Sequence, residues 1–131
     1  MKPVSSLLVA LLATAVASPV PAQGDLGKQI IGTWLGPYQA EQVPPGSLKL
    51  VVAKDTSGWK VTMDVISDDP PAVGEVREFK IEVDQVSWVQ DIAEMECRAV
   101  AKMVGGALKG QSECTQGGAV TVTATWVLLK Q

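Results

Sequence analysis

The chain has 131 residues, room for one modest domain, and 47% of them are hydrophobic. Eleven Lys and Arg stand against 14 Asp and Glu, a formal net charge of −3 that argues against nucleic acid as a partner. His is absent, which removes Ser–His–Asp and Cys–His catalysis and most zinc sites.

The chain opens on Lys2, a positive start, followed by an apolar run from Val4 to Ala17. The core of that run, Ser5 to Ala13, is short for a membrane span and reads as the centre of a secretory signal peptide. Two small-residue cleavage sites follow: Ala15-Val16-Ala17 before Ser18, and Val20-Pro21-Ala22 before Gln23. The second is preferred, because folded patterning starts soon after it. The expected division is a signal peptide over 1–22 and one domain over 23–131. No second apolar stretch reaches the roughly 20 residues of a transmembrane helix, so no membrane span is expected in the mature form. The expected location is periplasmic or secreted.

Alternation of period two then recurs, the mark of half-buried strands. Strands are expected near 30–38, 47–54, 59–67, 76–83, 86–91, 95–104, 107–114 and 119–130. Around Asp55-Thr56-Ser57-Gly58, pairing Lys54 with Trp59 sets Val52 opposite Val61, Leu50 opposite Met63 and Leu48 opposite Val65. The same register sets Lys49 opposite Asp64 on the outer face. Asp68-Asp69-Pro70-Pro71 breaks the pattern as a loop. A turn at Asp84-Gln85 would set Ile81 opposite Trp88 and Val83 opposite Val86, with Phe79, Ile81 and Val83 facing in. Gly105-Gly106 suits a two-residue primed turn, since Gly accepts positive φ at both positions. Centred there, Met103 faces Leu108, Ala101 faces Gly110, Ala99 faces Ser112 and Cys97 faces Cys114. In the last strand Val120, Val122, Ala124, Trp126 and Leu128 face in. The order implies an antiparallel up-and-down meander of about eight strands, closed as a small barrel, with an open sandwich as the alternative.

Two Cys that face each other in an exported chain read as a structural disulfide, Cys97–Cys114. The acidic loop groups, Asp68 and Asp69 in one and Asp91, Glu94 and Glu96 in another, lack the ligand spacing of an EF-hand and read as solvated loop charges. Gly105-Gly106 and Gly117-Gly118 read as turns, not phosphate loops. No metal and no cofactor is therefore expected, and no nucleophile–base motif points to an enzyme. The inward aromatic and small residues are more informative. Trp34, Trp59, Trp88 and Trp126 all fall on inward faces. Ala99, Ala101, Gly110, Ser112 and Ala124 point inward beside them, and either accommodate the rings or leave a void. Ser112 and Gln90 are the inward polar residues away from the ends, so a ligand would be mostly apolar.

Gly32-Thr33-Trp34 resembles the Gly-x-Trp that opens the first strand of lipocalins and their calycin relatives, avidin-like barrels included. The whole meander over 30–131 looks similar to the small lipocalin-like barrel domains of exported bacterial proteins, some of them attached to hydrolases. The resemblance implies that Trp34 packs across a closed barrel end, with Lys130 as the basic residue lying over it. The biotin-contacting pattern of avidins is not present, so biotin is not implied.

Two functions fit this reading. One is an exported binding protein for a mostly apolar small molecule, with Trp59, Met63, Trp88, Met103 and Trp126 lining the site and the loop 39–46 as partial lid. The alternative is a protein-interaction module, an inhibitor or accessory subunit of an exported enzyme. Its partner would be met through the loops 36–46 and 67–75.

Overall fold

The structure, a computed structural model, describes residues 23–67 and 72–131. The signal-peptide reading of 1–22 and the loop centred on Asp68-Asp69-Pro70-Pro71 lie outside the described residues. A short helix α1 (Gln23–Gln29) comes first. Eight strands follow: β1 (Gly32–Ala40), β2 (Gly46–Asp55), β3 (Gly58–Val65), β4 (Ala72–Ile81), β5 (Gln85–Ile92), β6 (Met95–Val104), β7 (Ala107–Gln116) and β8 (Ala119–Lys130). Each pairs antiparallel with the next, and β1 pairs with β8, so the meander closes into a barrel with no free edge. The sandwich alternative is thereby excluded.

Local turn chemistry sets the registers. Gly105 and Gly106 take φ of 57° and 84°, and the hairpin they close pairs Met103 with Leu108, Ala99 with Ser112 and Cys97 with Cys114. The bridge Cys97–Cys114 is formed. The β2–β3 hairpin pairs Val52 with Val61, Leu50 with Met63 and Lys49 with Asp64, as the alternation requires. The turn between β5 and β6 has the same left-handed pair of conformations, but from Ala93 (φ 50°) and Glu94 (φ 65°). Those residues bear the steric cost that glycine avoids.

Two registers differ from the sequence expectation. Ile81 pairs with Val86, not with Trp88, because the chain turns over Glu82 to Asp84, where the Glu82 amide donates to the Gln85 carbonyl. Val83 then sits in the turn, 62% exposed, instead of facing in. The slip is absorbed between Arg77 and Lys80, where Glu78 takes φ of 55° in a bulge. In β8 a second irregularity opposite Cys114 and Thr115 turns Val120 out to solvent.

The core is the sum of the inward alternate residues. Trp34, Leu50, Met63, Val86, Trp88, Leu108 and Leu128 are fully buried in one cluster. The barrel has two unlike ends. At one, α1 lies across the opening: Leu26 and Ile30 are buried, and a Cβ at Gly27 would just touch Ile81 and Trp59. Trp34 seals this end, its indole Nε1 donating to the Ile30 carbonyl at 2.9 Å. Lys130 lies over the Trp34 ring, with Nζ 5.7 Å from the centroid, and donates to the Gln29 carbonyl at 3.0 Å. The loops 41–45, 93–94 and 117–118 ring the opposite end.

Candidate functional site

From the plugged end inward, aromatic rings stack in a column. Trp59 meets Phe79 at 5.2 Å between centroids, Phe79 meets Trp88 at 6.1 Å, and Trp88 meets Trp126 at 5.8 Å. The small inward residues decide where this column stops. A Cβ at Gly110 would overlap the Trp126 ring, so the indole lies flat across the barrel only because that position is glycine. Ala101, opposite Gly110, is buried in the same layer, and Ala99, opposite Ser112, in the next. One strand position further out on each neighbour, Ser112 and Ala124 face each other across β7–β8 with no large side chain between them. The small residues thus do both things open to them: one set accommodates a ring, the next leaves space.

That space is a cavity of about 450 Å³ opening at the unplugged end. Its deep wall is Met63, Gln90, Ser112 and Trp126; Val65, Ile92 and Val122 line it higher up, with both half-cystines. Val43, Pro44 and Pro45 of the β1–β2 loop and Ala93 of the strained β5–β6 turn border its mouth. Among the described residues no charged side chain lines it. Two indoles organise its polar atoms. Trp88 Nε1 donates to Gln90 Oε1 at 2.9 Å, and Trp126 Nε1 donates to Ser112 Oγ at 3.0 Å. Gln90 is 5% exposed.

Of the five lining residues expected from sequence, the structure brings Met63 and Trp126 to the cavity. Trp59, Trp88 and Met103 pack beneath it, in or against the core cluster towards the plugged end. The expected lid, 39–46, supplies Val43 and the Pro44-Pro45 pair. Tyr38, Ile92 and Met95 were missed as lining, although each follows from its place at the open end of an inward row.

The acidic residues at 91–96 belong to the outer wall. Arg77 donates to Asp91 from Nε at 3.0 Å, to Glu96 from Nη2 at 2.8 Å and to Glu78 from Nη1 at 2.8 Å. Hydrogen bonds from Arg77, reinforced by its charge, hold the Asp91 carboxyl below its ordinary 3.8 and raise the guanidinium in turn. The cluster ties β4, β5 and β6 together at an exposed site, where such pairs contribute little. Among the described residues no three His, Cys, Asp or Glu are grouped to hold a metal ion. No described helix is long and apolar enough to cross a membrane.

The fold and cavity define the class: an eight-stranded up-and-down β-barrel, plugged at one end and hollow at the other. No protein-family model matches the chain, and neither does any curated protein or solved structure.

Proposed function

We propose that this is an exported, lipocalin-like binding protein that takes a mostly apolar small molecule into the open end of its barrel. The single observation that carries the reading is the cavity itself: about 450 Å³, bounded by aliphatic, aromatic and sulfur-bearing side chains, with a few polar atoms at its deep wall. That size and composition fit small-molecule sites in general. Apolar surface left empty is surface that a ligand can remove from water, at about 25 cal/mol per Å². Export is supported by the Cys97–Cys114 bridge, which persists in oxidising compartments, and by the signal-like start of the chain.

The test uses N-phenyl-1-naphthylamine, a neutral apolar dye that fluoresces when taken out of water. The protein is expected to bind it with micromolar affinity. Ala124→Trp puts an indole into the cavity and is expected to weaken binding at least tenfold, with the unfolding temperature little changed. Dye binding that ignores Ala124→Trp, or no binding at all, would remove the carrier reading. The protein-interaction alternative would then lead. Its support is Val73 at the start of β4, 70% exposed, and the exposed Val43 of the β1–β2 loop, apolar groups that a partner could cover.

A further inference from the structure

The two deepest polar groups of the cavity are not neutral in the sense of donor and acceptor. An indole N–H can only donate. The Gln90 amide atom 2.9 Å from Trp88 Nε1 must therefore be the oxygen, which fixes the amide orientation by chemistry. Gln90 Nε2, with two N–H groups, is left on the other side. It has no acceptor among the described residues, although the residue is only 5% exposed and lines the cavity. Ser112 repeats the logic. Its Oγ accepts from Trp126 Nε1, so the hydroxyl proton remains to be given away, and it too lines the cavity without an acceptor among the described residues. Two tryptophans thus use an acceptor from each group and leave donors on two residues that line the cavity.

We infer that the occupant presents a carbonyl-type oxygen, deep end first, to Gln90 Nε2 and Ser112 Oγ. This rests on the carrier reading and names its ligand class: a neutral, largely aliphatic or aromatic molecule bearing a ketone, aldehyde or ester. The neighbouring observations narrow the choice. A carboxylate or an ammonium would enter a site that has no charged partner among its described lining, and burying an unpaired charge is strongly unfavourable. A group that must donate would meet donors. A carbonyl oxygen has two lone pairs and nothing to donate, so it suits a wall whose free polar groups are donors. In the free protein these donors are left to water, which a carbonyl oxygen would replace.

The test compares 2-octanone with 2-methyl-1-octene, in which a methylene replaces the carbonyl oxygen, and with octanoate. The first readout is infrared and uses the unaltered protein. The carbonyl stretch of bound 2-octanone is expected below its frequency in an alkane solvent, as hydrogen bonding requires; an unshifted band overturns the clamp. The second is affinity. Gln90→Met is expected to weaken 2-octanone about tenfold, the loss of a good hydrogen bond, while the alkene binds as before or better. Equal effects on both ligands, or octanoate binding more tightly than the ketone, would overturn the clamp while leaving the carrier reading intact. Binding of none of the three while the dye still binds would overturn the clamp alone; loss of dye binding as well would remove both. Because the infrared readout needs no variant, a Gln90→Met protein that failed to fold would not shield the proposal.

Discussion

Trp34→Ala is expected to lower the stability of the barrel by about 3–5 kcal/mol, the range for deleting a buried indole. A domain of this size holds only about 5–15 kcal/mol in total, so the change approaches the threshold of folding. Three losses coincide at this residue. The ring is 1% exposed and fills the plugged end of the barrel, so its removal leaves a hole in the core cluster it shares with Ile30. The Ile30 carbonyl loses the indole proton it accepts at 2.9 Å. Lys130 loses the ring beneath its ammonium, though it keeps the Gln29 carbonyl. Trp34→Phe separates these effects. It retains most of the packing and is expected to cost about 1–3 kcal/mol, chiefly for the orphaned buried carbonyl. Urea unfolding of the three proteins measures both numbers. A loss below about 1 kcal/mol in Trp34→Ala would mean that α1 and Lys130 do not depend on the ring, and that the plug is not what closes this end.

The second large effect is the disulfide. Replacing both Cys97 and Cys114 by Ala is expected to cost about 3 kcal/mol, on the model in which the bridge restricts the unfolded chain. For a domain of roughly 100 residues that lowers the unfolding temperature by about 10–20 °C. The two residues are 17 apart in sequence and opposite each other on adjacent strands, so the bridge staples a hairpin that Gly105-Gly106 already directs. A loss well under 1 kcal/mol would mean that this hairpin persists in the unfolded chain, leaving the bridge little to restrict. The substitution also trims the cavity wall, where both half-cystines lie, so dye binding should change with it.

The parts of the fold legible in the sequence are those whose information is local. The β6–β7 register follows from a glycine pair and the facing cysteines, and β2–β3 from two faces that agree on one alignment. Closure was suggested by the even meander and is seen in the β1–β8 pairs, such as Trp34 with Lys130. What failed was also local, but hidden. The bulge at Glu78 carries no glycine to announce its positive φ, so the β4–β5 turn was set two residues too far along β4. The plug α1 is a single short helix with no repeating stripe; the spacing of Leu26 and Ile30, four residues apart and both buried, was its one signal.

The site was legible in kind more than in place. Period two tells which residues face in, but not how far along the barrel axis each side chain reaches. Four inward tryptophans and a group of small inward residues were visible. Which ring lies over which glycine depends on rotamers, and this is what sends Trp59 and Trp88 into the packed half and leaves Trp126 at the cavity. The polar pair Gln90 and Ser112 was readable as inward, whereas its one-sided donor character required the indole partners to be seen.

The central claim is that one end of the barrel is hollow and receptive and the other is sealed. Four indole N–H groups, spread from end to end, make NMR spectroscopy the most direct test. During titration with N-phenyl-1-naphthylamine, the Trp126 indole signal is expected to move most, Trp88 less, and Trp34 not at all. Movement of Trp34 with Trp126 unchanged, or shifts confined to exposed loop amides, would contradict the account.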